Sequence, residues 1–244
     1  MCCFLLQREK IWLRKVWHCD IKTGMEVDKM EINAYGDPQA KIVLIQMVNE
    51  HDIAGIEQEF KEIQRLTDRN FQLLAVKVNN WNEDLSPWNV EPVFGKEGFG
   101  NGAKDTLKEV LTLCADADKR YCIGGYSLAG LFALWTAGQT DCFAGIAAAS
   151  PSVWFPGFIK YMQQQKMQSK CIYLSLGDKE EKTRNTVMAC VSDCIRQLYL
   201  WLKQEGIQCT LEWNQGGHFK EPNLRTARAF AWVMENSETN KDIK

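Results

Sequence analysis

Apolar positions along this chain follow two alternating rhythms. The runs "KIVLIQMV" (41–48), "FQLLAVKV" (71–78) and "CIYLSLG" (171–177) are short and largely apolar, as expected of strands covered on both faces. "KMEINAYG" alternates and also reads as a strand, and "FAGIAAASPSVW" and "CTLEWNQGG" each hold one. Between these runs the spacing turns helical. "HDIAGIEQEFKEIQRLTDR" repeats at Ile53, Ile56, Phe60 and Ile63, and "GAKDTLKEVLTLCAD" and "FIKYMQQQKMQ" read as helices. "TVMACVSDCIRQLYLWLKQEG" reads as one long amphipathic helix, apolar at Val187, Val191, Cys194, Ile195, Leu198, Trp201 and Leu202 and closed by Gly206. "EPNLRTARAFAWVME" is the last helix, with Pro222 near its start.

Strands alternating with helices imply parallel pairing with helices on both sheet faces. The expectation is one α/β domain, a three-layer sandwich around a mostly parallel sheet, its first strands open to antiparallel pairing. In such sheets ligands bind beyond the carboxyl ends of the strands. The segments after Val48, Val78, Gly125, Ser150, Gly177 and Gln215 should therefore share one edge.

One of those segments carries candidate chemistry. "YCIGGYS" reads as a strand, "LAGLFALWTAG" as a helix stopped by Gly138, and Ser127 sits at the junction. A Gly-x-Ser-x-small pattern arises by chance in roughly one chain in five of this length, so the context decides. A nucleophile elbow needs a sharp strand–Ser–helix turn with small residues two before and two after the serine, because their side chains would collide. Here they are Gly125 and Ala129. The competing reading is a tight turn with a solvated serine.

A serine hydroxyl needs a base, and histidine suits neutral pH. Of the three histidines, His18 precedes the main sheet and His51 reads as a surface or capping residue. His218 follows the last strand in "NQGGHFKEP", where Gly216 and Gly217 give a flexible turn. The chain order serine, acid, histidine is that of an α/β-hydrolase. The acid falls after the 171–177 strand, among Asp178, Glu180 and Glu181; the position three past Gly177 is Glu180, with Asp178 the alternative. An oxyanion hole needs two backbone N–H groups. Leu128 supplies one candidate, and Met47 or Val48, in an expected turn after Ile45, the other.

Bulk properties narrow the partners. The 244 residues carry a formal net charge of −2 with no basic run, which argues against nucleic acid and anionic membranes. None of the ten cysteines forms a CxxC pair or a zinc-spaced cluster with histidine. Cys122 and Cys171 sit in apolar runs and read as buried thiols of a reduced, cytoplasmic protein. Cys190 and Cys194 share a helix face. The opening "MCCFLLQREK" is too short for a secretory signal, and acylation of Cys2 or Cys3 has no second supporting feature.

The stretches "GGYSLAGLFALW", "AAASPSVWF", "SLGDKEEKTRN" and "GGHFKE" stand in an order that resembles the putative-esterase branch of the α/β-hydrolase superfamily, which includes enterochelin-type esterases, esterase D and feruloyl esterases. The resemblance spans about residues 30–238. It implies a Ser–acid–His hydrolase with no metal or organic cofactor. Ala129 stands where the family usually has a second glycine, and no His-Gly pair follows Ile45.

The 79–102 segment, "NNWNEDLSPWNVEPVFGKEGFGNG", is long for a connection inside a domain and rich in aromatics. Trp81, Trp88 and, from "SPSVWF", Trp154 are candidate walls of a substrate pocket; the plainer reading is that the rings pin the loop to the domain. Between Ser127 and Glu180 there is no length for a large cap. The expectation is a serine esterase of a small soluble ester. Thioester cleavage and acyl transfer use the same machinery. A non-catalytic binding protein, in which Ser127 and His218 never meet, is the competing class.

Overall fold

The computed structural model describes residues 30–237 and the backbone of 15–18; Cys2 and Cys3 lie outside the described residues. The strands are β1 (Lys15–His18), β2 (Glu31–Gly36), β3 (Ile42–Val48), β4 (Phe71–Lys77), β5 (Arg120–Tyr126), β6 (Phe143–Ala149), β7 (Cys171–Gly177) and β8 (Gln208–Asn214). The helices are α1 (Glu50–Leu66), α2 (Trp81–Asp84), α3 (Ala103–Thr112), α4 (Leu128–Thr136), α5 (Phe158–Met162), α6 (Val191–Gln204) and α7 (Pro222–Asn236).

All eight strands form one sheet in the order β1-β2-β4-β3-β5-β6-β7-β8. Strands β3 to β8 run parallel, while β2 is antiparallel to both β1 and β4. Every residue of β3 and β7 is buried, as their unbroken apolar runs require. On one face Val43, Ile45 and Met47 pack with apolar residues of α3, α4 and α6. On the other, Leu44 and Val48 pack with Ile56, Phe60 and Ile63 of α1 and with Phe230 and Val233 of α7. This makes three layers, and the parallel strands put the ends of β3 to β8 on one edge.

Two expected helices differ. The 186–206 segment is not one helix: a 3₁₀ turn at Met188–Cys190 precedes α6, and Val187, 40% exposed, lies outside the apolar stripe that packing selects. Helix α5 is only five residues, held by buried Phe158 and Met162. The 79–102 segment contains α2 and a bridge pairing Val90 with Phe99. Cys122 and Cys171 are buried, and the cysteines of the described residues are free thiols. The Cys190 and Cys194 sulfurs lie 3.5 Å apart. Among the described residues no helix is long and apolar enough to cross a membrane.

One core position breaks the apolar pattern. Glu59 is buried on the inner face of α1, beside Gln46 of β3 at 3.4 Å. Burial raises its pKa well above the ordinary carboxylate value, against a smaller lowering by Gln46. The folded chain thus holds this proton more tightly than the unfolded chain. The neutral acid is accommodated in full below the unfolded pKa, and stability falls as pH rises from there toward the folded value. Glu59→Gln is expected to unfold at a higher temperature than wild type at pH 8, with the difference shrinking toward pH 4; thermal melts across that range check it.

Candidate active site

Strand β5 ends at Tyr126 and α4 begins at Leu128, so Ser127 alone makes the turn. Its backbone has φ 58° and ψ −119°, a strained conformation for a residue with a side chain, of the kind that costs about 1–3 kcal/mol. The surroundings enforce it. Ser127 N–H donates to Ala149 O of β6, and Ser127 O accepts from Leu131 N and Ser152 N. The small residues are required as expected. A Cβ at Gly125 would stand 2.5 Å from the Ala129 Cβ, and one at Gly124 2.5 Å from Ala147 O. Gly130 lets α4 approach Gly125 O and Pro151.

His218 follows β8 in a short irregular loop, and its ring meets Ser127: Nε2 lies 3.0 Å from Ser127 Oγ. Its Nδ1 lies 2.7 Å from Glu180 Oε2. The tautomer that satisfies both contacts has Nδ1–H donating to the carboxylate and Ser127 O–H donating to Nε2. Ser152, buried just past β6, places its hydroxyl 3.2 Å from Ser127 Oγ. The Tyr126 ring packs on His218 with centroids 5.1 Å apart, and Tyr126 O–H donates to His218 O at 2.5 Å.

Of the two candidate acids, Glu180 is the one at the imidazole. Asp178 instead accepts from Gly216 N at 2.7 Å and so braces the loop that carries His218. Glu180 is also fixed through its other oxygen, which accepts from Gly177 N at 2.7 Å and from Arg225 Nη1 at 2.9 Å. Burial would raise the Glu180 pKa. The His218 hydrogen bond and charge, with the Gly177 N–H and Ser150, outweigh it and hold the carboxyl below its usual range. Glu180 therefore stays ionised at neutral pH.

The backbone near Ser127 differs in one respect from expectation. Strand β3 does not turn after Ile45 but runs to Val48, and Val48 O accepts from Val78 N on the β4 side. Met47 and Val48 are thus strand residues, and the Val48 side chain packs with α1 and α7. Past them, Asn49 N–H donates to Asp52 Oδ2 in the capping box that starts α1. Leu128 N–H lies in the first turn of α4, where amide groups have no intrahelical partner.

The three tryptophans hold the long loop down. Trp88 Nε1–H donates to Pro156 O at 3.1 Å, and its ring packs on Phe155, Phe158 and Tyr161. Trp154 is buried edge-to-face against Phe94 and Phe99. Trp81 opens α2 and packs half-buried against the core. His51 is exposed at the start of α1, and His18 lies in β1. Among the described residues, no cluster of three or more His, Cys, Asp or Glu could hold a metal.

Arg225 and Tyr126 were not among the sequence candidates. One signal was available for Arg225: it falls on the stripe Arg225, Ala229, Val233 that α7 turns toward the sheet, where a charge needs a buried partner.

No protein-family model matches the chain, and no curated protein sequence matches it. Its fold does recur among solved structures. It superposes on a siderophore hydrolase, EstA, from Aspergillus nidulans with TM-score 0.69 and 16% identity, over 98% of this chain and 99% of the other. An IroE-like serine hydrolase from Shewanella oneidensis gives TM-score 0.71 at 12% identity, over 96% and 83%. An enterobactin hydrolase, IroE, gives 0.65 at 13%, over 93% and 96%. The fold is that of the α/β-hydrolases.

The steric argument at the turn has a direct test. Gly125→Ala is expected to lose about 1–3 kcal/mol of stability through overpacking, with Ala129→Gly in the double variant recovering part of it in denaturant titrations.

Proposed function

We propose that the protein is a serine esterase that cleaves a small ester through an acyl-serine intermediate. The observation that carries this reading is the continuous hydrogen-bonded chain Ser127 Oγ–His218 Nε2, His218 Nδ1–Glu180 Oε2, at 3.0 and 2.7 Å. The non-catalytic alternative required that these side chains stay apart. The three structural neighbours above are named hydrolases, which agrees with the reading.

In the proposed reaction Ser127 Oγ attacks the ester carbonyl carbon as its proton passes to His218 Nε2. Glu180 keeps the imidazole in its Nδ1–H tautomer and stabilises the imidazolium. The carbonyl oxygen becomes an oxyanion, for which Leu128 N–H is the assigned donor. Collapse of the tetrahedral intermediate breaks the C–O bond to the alcohol, which leaves with the proton from His218. Water then attacks the acyl-serine, gives its proton to His218, and the acid departs as Ser127 recovers its own. Nothing in this sequence of steps calls for a metal or organic cofactor. The 128–179 segment holds only α4, β6, α5 and β7, which favours a site covered chiefly by the 79–102 loop, with Trp81, Trp88 and Trp154 framing its wall.

Labelling with a fluorophosphonate probe tests the reading. Wild type should label, and Ser127→Ala and His218→Ala should not; a folded wild type inert to the probe and to an ester panel would contradict it. Among the acids, Glu180→Gln should lower kcat by about 10²–10⁴-fold, while Asp178→Asn keeps most of the rate. Equal losses in the two would reject the assignment of Glu180.

A further inference from the structure

Arg225 is among the largest fully buried side chains in the described protein, 1% exposed, and its guanidinium lies directly behind the site. Nη1 reaches Glu180 Oε1 at 2.9 Å, Tyr126 Oη at 3.1 Å and Ser150 Oγ at 3.1 Å. Nη2 donates to Gly217 O at 3.1 Å and Gln215 O at 3.4 Å. One side chain from α7 thus touches the strand that delivers Ser127, the residue just past β6, the acid, and the loop that carries the base.

We infer that Arg225 is the positioning residue of this site, holding the Glu180 carboxylate and the loop of His218 in the register that proton transfer from Ser127 needs; the inference rests on the esterase reading above. Two physical arguments support it. The first is geometric. A carboxylate has two oxygens, and here they are divided: Oε1 goes to Arg225 and Gly177 N–H, Oε2 to His218. With Oε1 held, the carboxylate plane is fixed and Oε2 points at Nδ1. The same guanidinium ties the carbonyls of Gln215 and Gly217, so acid and base are registered against one rigid fork. A lysine ammonium cannot span those partners.

The second argument is electrostatic. The Glu180 and Arg225 side chains are only 4% and 2% exposed, so their charges are weakly screened. Either charge would be costly to bury alone, and together they keep Glu180 an ionised acceptor for His218 Nδ1–H. The other groups near this pair are the Tyr126 and Ser127 hydroxyls and, on the His218 loop, Lys220, which reaches Gln215 Oε1; Asp178 lies behind Gly216 N–H. None of these is a buried cation. Without the guanidinium the Glu180 carboxylate is uncompensated, and its plane is no longer held toward Nδ1.

Hydrolysis of an activated aryl ester and fluorophosphonate labelling, measured for wild type, Arg225→Met and Arg225→Lys after circular dichroism establishes folding, test this. Arg225→Met should lose about 10²-fold in kcat and in labelling rate with KM nearly unchanged. Arg225→Lys keeps the charge and loses the fork, so its kcat should also stay well below wild type. Losses that fall on KM and leave kcat intact would overturn the inference, as would a Lys variant at full rate. Arg225→Lys carries the test if Arg225→Met does not fold. A wild type that labels at Ser127 while both variants match it would defeat this inference alone; a wild type that never labels would defeat the esterase reading and this inference with it.

Discussion

The structure turns on one steric constraint, the collision that forbids a side chain at position 125. Strand β5 must stop and α4 must begin within a single residue, which brings Gly125 against Ala129 at a separation no second Cβ could share. Ser127 is left at positive φ, its N–H tied to β6 and its carbonyl to α4 and Ser152. That strain is stable only because the parallel sheet on both sides and the buried α4 leave the turn no other path. The exposed product of the constraint is a hydroxyl held at the sheet edge, where the loops after β6, β7 and β8 also end.

Around that hydroxyl the chain assembles a buried electrostatic circuit rather than an isolated pair. Glu180 and Arg225 are both withdrawn from water, and each would be costly alone. Joined, and with the remaining lone pairs and N–H groups taken up by Gly177, Ser150, Tyr126 and two loop carbonyls, they form a platform on which His218 rests. His218 itself stays partly open, with its side chain 25% exposed, as its proposed role of meeting a substrate and a water requires.

The alternation of strands and helices was readable because parallel strands buried on both faces leave unbroken apolar runs such as 42–48 and 171–177. Ser127, His218 and Glu180 were readable because topology sends the ends of parallel strands to one edge. What the pattern hid has physical causes. Strand β3 ends at Val48 as its apolar run predicts, and the turn expected after Ile45 is absent because Gln46, Met47 and Val48 bury with the residues before them. The 186–206 helix broke because Val187 has no core to face. Arg225 and Glu59 look like ordinary surface charges until they are seen to lie in line with Ala229 and Val233 on α7 and with Ile56 and Ile63 on α1, and only the fold reveals what each one meets. The tryptophans show that a ring near a site can also serve packing, since Trp88 and Trp154 hold the 79–102 loop to the 151–162 segment.

The central claim is that Ser127 becomes covalently acylated. Rapid acid quenching of the protein with an activated aryl ester, followed by peptide mass mapping, reads this directly. One acyl group is expected on the peptide containing Ser127, appearing with a burst of the phenol and vanishing as the ester is exhausted. Ester turnover with no acyl group on that peptide, or with the label on a cysteine or lysine instead, would contradict it.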